Sequence, residues 1–397
     1  MIEALKDLRV AFNGLFWGRS TTGSGQYVMK LVRTLLHCYP ENRYLLALHQ
    51  REYSSKRTGE DESLPELGRF LLSTPADRLG ENWAKLWFEQ VTFPRFCRQQ
   101  RADVAHVPYW GSPLCSTVPT VVTIHDLIPL MFSLYRGNLL VRAYSALVSR
   151  SARRAAHIVT DSQASRQDII NILKVAPDKV KVVYLAADEN FRPVTDRGVL
   201  AHVQAKYHLP ERYILYLGGF DARKNVAFLL QAYAHLVQEW PQSPHLVLAG
   251  RLPEESSEFF PDPRLWIDRL GLQGKVALIG WVDEEDKPAL YTGADVFVFP
   301  SDYEGFGLPV LEAISCGTPA VVTEAGSLPE IVGEAGLRVQ VGNLMGLTHA
   351  MARIAQDRDF RELLREKALA QAALFTWKRA VEQMMTLYAD ECQRARG

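Results

Sequence analysis

Residues 298–322 read VFPSDYEGFGLPVLEAISCGTPAVV. An apolar run ends at Pro300, a loop with Gly305 and Gly307 follows, Pro309 stands where a helix would begin, and a second apolar run opens after Pro319. Proline is tolerated in a first helical turn because its missing N–H would have no partner there. Strand, loop, helix, strand is the unit that joins two parallel strands. The strands are near-continuously apolar, not alternating, which implies a sheet covered on both faces.

The same pattern runs outward in both directions. Upstream, LRVAFN (8–13), RYLLAL (43–48), DVAHV (103–107), TVVTI (120–124), HIVT (157–160) and KVVYL (181–185) read as strands separated by helically spaced stretches. A second series holds RYILYLG (212–218), HLVLAG (245–250), KVALIG (275–280), DVFVFP (295–300) and PAVVT (319–323). Between the two series ADENFRPVTDRGVL is polar and lacks strong periodicity, which places a boundary there. The expectation is an α/β protein of two doubly wound, Rossmann-like domains, 1–190 and 191–375. A C-terminal helix covers 376–397, with Trp377, Val381, Met384, Met385 and Tyr388 as its apolar stripe.

A chain of 397 residues fits two or three domains at about 150 residues each. Lys and Arg number 45 and so do Asp and Glu, so charge does not call for nucleic acid as a partner. The balance hides an asymmetry: residues 1–190 carry 24 basic against 18 acidic side chains, and the remainder reverses it. Cys38, Cys97, Cys115, Cys316 and Cys392 are odd in number and lie far apart, so neither a disulfide framework nor a zinc site is supported. No apolar run approaches the roughly 18 residues a membrane span needs, and Glu3, Lys6 and Asp7 stand where a secretory leader would be apolar. A cytoplasmic protein is expected.

Ligands of doubly wound sheets bind beyond the carboxyl ends of the strands, so the chemistry is sought there. Gly305 and Gly307 let backbone approach a ligand, and the loop amides with the following helix N-terminus (Phe306, Leu308) suit a diphosphate. A carboxylate beside phosphate is unfavourable. Glu304 and Glu312 therefore either accept from neutral sugar hydroxyls or are solvated glutamates at a helix start.

EGFGLPVLE resembles the E-x7-E signature of family-4 retaining glycosyltransferases of the GT-B fold. The resemblance extends through LYLGGFDARKN (215–225), AGSLPEIVGEAG (325–336), TIHDLIP (123–129), TDSQASRQDI (160–169) and TTGSGQYVMKL (21–31), in the family's order. It implies two Rossmann-like domains facing across a cleft, the first binding acceptor and the second a nucleotide sugar, with the C-terminal helix crossing back. It implies catalytic roles for His125, Glu304 and Lys224, with His125 facing the donor sugar and Asp126 orienting it or capping the next turn. Donor-binding positions would be Gly23, Gly25, Gly218, Gly219, Arg223, Lys224, Val282, Gly305, Phe306, Gly307, Leu308 and Glu312. Lys224 matches the family's phosphate-binding lysine. Gly219 stands where many relatives carry Arg, and Arg223 is the substitute cation. Base contacts fall around Trp281 and Val282.

The resemblance further implies a metal-independent hexosyl transfer that retains anomeric configuration. GDP-mannose is the first choice of donor, UDP or dTDP sugars stay open, and the acceptor is a glycan, lipid-linked or small-molecule hydroxyl. No cofactor is expected, and the chain is read as lacking an Asp-x-Asp metal motif. His106 ends a strand nearby, as an acceptor-side candidate or a structural residue. From Leu127 to Thr160 no acidic residue occurs, while Arg136, Arg142, Arg150, Arg153 and Arg154 do. This 131–154 stretch is a solvated face, a hold on a pyrophosphate-linked lipid acceptor, or a peripheral contact with the inner face of a membrane. Two other functions fit less well. A nicotinamide-dependent oxidoreductase needs G-x-G-x-x-G, but Val28 occupies the last glycine position after Gly23 and Gly25. A non-catalytic sugar-nucleotide scaffold would need Glu312 and Lys224 but not His125.

Overall fold

The structure, a computed structural model, describes residues 7–19, 22–50, 64 and 66–396. Glu3 and Lys6, on which the absence of a leader was argued, and Thr21 lie outside the described residues. The chain forms two compact units, Met1–Leu185 with Thr376–Gly397, and Ala186–Phe375. The boundary thus falls a few residues before position 190, just past the last strand of the first sheet.

Unit one holds β1 (Arg9–Asn13), β2 (Arg43–His49), β3 (Gly68–Leu72), β4 (Val104–Val107), β5 (Thr120–Thr123), β6 (His157–Thr160) and β7 (Val180–Val182). They are ordered β3-β2-β1-β4-β5-β6-β7. Unit two holds β8 (Tyr213–Leu217), β9 (His245–Ala249), β10 (Val276–Gly280), β11 (Val296–Phe299), β12 (Ala320–Thr323) and β13 (Gly336–Val339). These are ordered β10-β9-β8-β11-β12-β13. Every pairing is parallel. In both sheets the order reverses direction at one place, between β1 and β4 and between β8 and β11. Loops there diverge to opposite faces and leave a crevice at the carboxyl edge.

The central strands are wholly buried, as their continuous apolar sequences demand: Val10, Val104, Val121, Ile214, Phe297 and Val321 each retain none of their surface. Two strands were not expected, β3 and β13, and both are edges. They carry few β-branched residues, and each is stabilised by one neighbour only. In β13 a Cβ on Gly336 would lie 1.8 Å from the Ala320 carbonyl oxygen, so only glycine lets that edge pair. The expected strand at 181–185 is shorter because it too is an edge, with β6 as its only partner.

The Trp377–Arg396 helix belongs to unit one and buries Val381, Met384, Met385 and Tyr388. It packs along the Gly23–Cys38 helix, with Met385 Sδ 3.9 Å from Tyr44 Oη. His157 Nε2 meets Glu391 Oε1 at 3.0 Å nearer its end.

Candidate active site

In unit two the reversal point brings together the loops after β8 and β11. The first, 218–225, closes with a 3₁₀ turn at Ala222–Lys224 and turns sharply at Asn225 (φ 55°) into the Val226–Glu239 helix. Asparagine tolerates that left-handed conformation better than most residues. Asn225 Nδ2 donates to Asp302 Oδ1 at 2.7 Å, and the Asp302 amide donates to the Arg223 carbonyl at 2.8 Å. The two loops are therefore one rigid piece.

Arg223 and Lys224 both reach Glu304: Arg223 Nη1 and Lys224 Nζ each lie 2.7 Å from Oε1. The ammonium also sits 4.7 Å from the Phe299 ring centroid. Two cations at a helix start oppose its dipole, and Glu304 supplies the charge that makes the pair tolerable. Burial on its own would raise the Glu304 carboxyl, but Lys224 and Arg223 outweigh it and hold the group below its ordinary range.

The 303–307 loop is held from behind. Gly326 (φ 54°) leaves no room for a side chain, since a Cβ would stand 2.3 Å from the Glu304 carbonyl oxygen. The Ser327 amide and hydroxyl both donate to that carbonyl at 3.1 Å. Gly307 (φ 99°) caps the Leu308–Ser315 helix in a left-handed conformation that disfavours any other residue. Gly305, Phe306, Gly307 and Leu308 thus lead into a helix N-terminus with the Glu304 cluster at its mouth. Glu312, further along that helix, accepts from Tyr291 Oη at 2.9 Å. Burial, only partly offset by Lys287, pushes its carboxyl up to about 7. After β10, Trp281 is exposed (59 %) and Val282 buried (3 %). A Cβ on Gly218 would meet Tyr216 Oη at 3.0 Å, whereas at Gly219 the nearest atom is 3.6 Å away. Space does not demand the glycine at 219.

In unit one His125 follows β5. Its Nδ1 meets Asp161 Oδ2 at 2.6 Å. Burial would lower the imidazole, but Asp161 prevails and raises it above its ordinary value, with the Asp126 charge and the Pro108 carbonyl adding to the effect. Asp126 caps the next turn, its Oδ1 accepting from the Ile128 amide at 3.0 Å, so Asp161 is the residue that orients His125. His106 is a core residue: it retains no exposed surface, and its nitrogens meet Tyr388 Oη (2.6 Å) and Thr123 Oγ1 (2.8 Å). Gly23 and Gly25 open the Gly23–Cys38 helix. A Cβ on Gly25 would lie 2.1 Å from the Arg19 carbonyl oxygen, while Gly23 has open space around it. The protein's own packing therefore accounts for Gly25.

Asp357 and Asp359 do stand at Asp-x-Asp spacing, contrary to the sequence reading. Asp357 caps the Arg358–Ala372 helix through the Phe360 amide at 2.9 Å, a structural use of that carboxylate. Among the described residues no group of three or more His, Cys, Asp or Glu side chains is placed to hold a metal ion.

Two doubly wound units, each with polar groups at its reversal point, have the GT-B architecture, and comparison with known proteins gives the family and the class of enzyme, a glycosyltransferase. Residues 202–371 match the family described as Glycosyl transferases group 1, and residues 44–191 match Glycosyltransferase Family 4. O-antigen chain mannosyltransferase B of Escherichia coli is 35% identical over 271 residues, covering 68% of this chain and 69% of that protein. Serotype-specific mannosyltransferase WbdA of the same species is 33% identical over 261 residues, 65% of this chain but only 32% of its own length. Among solved structures, Anabaena HepE in complex with UDP and glucose superimposes with a TM-score of 0.72 at 19% identity, covering 96% of this chain and 99% of that one. WaaG, a glycosyltransferase involved in lipopolysaccharide biosynthesis, gives 0.68 at 15%, covering 95% and 99%. The chain belongs to glycosyltransferase family 4.

Proposed function

We propose that the protein is a retaining mannosyltransferase that moves mannose from GDP-mannose to a hydroxyl of a glycan acceptor without a metal ion. The observation that carries this is the cluster of Lys224, Arg223 and Glu304 at the mouth of the Leu308–Ser315 helix. When the bond from the anomeric carbon to the β-phosphate oxygen breaks, its electron pair goes to that oxygen. Lys224, Arg223 and the helix amides neutralise the developing charge, and hydrogen bonds to charged groups contribute about 1.5–3 kcal/mol each. The acceptor oxygen attacks from the same face and its proton passes to the departing phosphate. Glu304 then accepts from a sugar hydroxyl, Glu312 from the ribose, and His125 contacts the mannose.

The choice of mannose is supported by the relatives at 33–35% identity, which are mannosyltransferases. A soluble, cytoplasmic enzyme working at the inner membrane face through residues 131–154 fits the same reading. No helix of the described residues is long and apolar enough to cross a membrane.

The test is calorimetry against GDP, UDP, dTDP and NAD, followed by GDP release from GDP-mannose with and without EDTA. GDP is expected to bind tightest, and turnover to survive chelation. Tight NAD binding, or activity lost to EDTA and restored by Mn²⁺, would contradict the proposal.

A further inference from the structure

A cluster that none of these roles uses sits at the reversal point of the first sheet. The Glu81–Trp87 helix runs into a π-helical turn, Phe88–Thr92, a winding often found at working sites. This turn carries Glu89 fully out of water. Tyr144 Oη, on the Leu139–Arg154 helix, lies 2.9 Å and 3.0 Å from its two carboxylate oxygens. Lys85, one turn earlier, stays 3.9 Å from Oε1 with 34% of its side chain exposed. That separation is a loose tether, not a closed ion pair.

The Lys85 ammonium lies over three rings, 4.6 Å from the centroid of Tyr144, 5.8 Å from Phe16 and 5.9 Å from Tyr109. Phe16 follows β1 and Tyr109 follows β4, and their rings pack 4.7 Å apart. Gly111 makes the closure possible: a Cβ there would stand 2.3 Å from the Tyr109 ring and 2.8 Å from Glu89 Oε1. Gln90 pins the same loop, receiving from the Leu114 amide at 2.9 Å and donating to the Ser112 carbonyl at 3.2 Å. Pro108, next to Tyr109, is the residue whose carbonyl faces His125. Stability alone gives no reason to bury this carboxylate, because apolar side chains of similar volume serve a core as well or better.

We propose that Lys85, framed by Phe16, Tyr109 and Tyr144, binds the acceptor glycan, and that Glu89 is the positioning residue that steadies it. This rests on the glycosyl-transfer reading above. An ammonium offers three donors and no acceptor, which suits sugar hydroxyls; Tyr109 is buried beneath it, while Phe16 and Tyr144 are half-buried and leave apolar ring surface for the C–H groups of a pyranose. Burial pushes the Glu89 carboxyl up to about 7, with Lys85 and the Tyr144 and Tyr109 hydroxyls opposing the rise; above that pH the carboxylate offsets the ammonium's charge, which favours a neutral polyol over an anion. Arg19 reaches the same Phe16 ring at 5.2 Å, so a phosphorylated acceptor is the alternative to separate.

Initial rates are measured with GDP-mannose and a mannose-terminated trisaccharide for the wild type, Lys85→Met, Lys85→Arg and Glu89→Gln. Lys85→Met is expected to raise the acceptor KM about tenfold with a much smaller fall in kcat, and Lys85→Arg to restore most of it. At pH 8, where the wild-type carboxylate is charged, Glu89→Gln keeps the Tyr144 hydrogen bond but frees the ammonium, and should raise the acceptor KM severalfold. A wild-type acceptor KM in Lys85→Met, an equal rise in donor KM, or preference for a 6-phosphorylated trisaccharide would overturn the assignment. Wild-type protein that releases no GDP from GDP-mannose defeats the underlying reading, and the acceptor site falls with it.

Discussion

Glu304 and Glu312 stand on one loop and the helix it opens, yet their surroundings drive them in opposite directions: two cations hold Glu304 ionised, while burial beside Tyr291 leaves Glu312 titrating near 7. A ribose diol donates to the carboxylate and favours its charged form. The complex should then have a lower Glu312 pKa than the free protein, with full affinity above about 7 and weaker binding as pH falls below it. Glu312→Gln should bind GDP more weakly at pH 8 and lose that dependence, as read by calorimetry across pH 5–8. For His125, whose folded value is raised, the pairing with Asp161 contributes stability fully present below about 6.5 and lost as pH rises through the folded value. His125→Ala should lower kcat by roughly 10² while GDP affinity stays within a few fold. Asp161→Asn should lower kcat less and displace its pH profile. His125 was legible in the sequence, from its place at a strand end and from the family resemblance. Asp161 was not, because it is 36 positions away and becomes a neighbour only through sheet register. Thr123 pairs with Val159, and two residues on, the same offset sets His125 beside Asp161.

At the scale of elements, the terminal helix is tied to the sheet by a polar contact as well as by its apolar stripe. Tyr388 Oη is 2.6 Å from His106 Nδ1, and burial pushes that imidazole down to about 3, so it stays neutral and needs its partner. Tyr388→Phe leaves the ring nitrogen without one, at a cost of about 1–3 kcal/mol, which urea unfolding should register. An unchanged midpoint would mean that His106 finds another partner. The stripe of this helix was readable because 3.6-residue periodicity over twenty residues is a strong signal. The edge strands β3 and β13 were not, since short segments with one neighbour need little of the apolar, β-branched character that marks a central strand. The loops behind the site were opaque for another reason. Gly326 and Ser327 act by backing the Glu304 carbonyl, a contact that local pattern does not announce.

For the whole molecule, alternation of strands and helices was sufficient to give two parallel sheets, and the positive balance of the first half has a visible focus. Leu139, Leu140 and Val141 are exposed at the start of a helix that also carries Arg142 and Arg150. Arg153 is otherwise occupied, its Nε donating to the Leu173 carbonyl at 2.8 Å. If this face meets anionic lipid, the protein should cosediment with phosphatidylglycerol vesicles at low salt and be released as ionic strength rises. The better probe is Arg136, Arg142 and Arg150 changed together to Gln; retention of binding by that variant would assign the arginines to a solvated face. A different consequence follows from the division of the chain. Unit one is interrupted, for its last helix lies beyond all of unit two. On a ribosome moving at about 5–20 residues per second, the intervening ~190 residues take roughly ten to forty seconds to make. Throughout that interval the nascent first sheet lacks the cover that Val381, Met384 and Tyr388 will bring, although unit two can close as soon as it emerges. The part of the protein translated first is the part completed last, and chaperone occupancy during synthesis should be concentrated there.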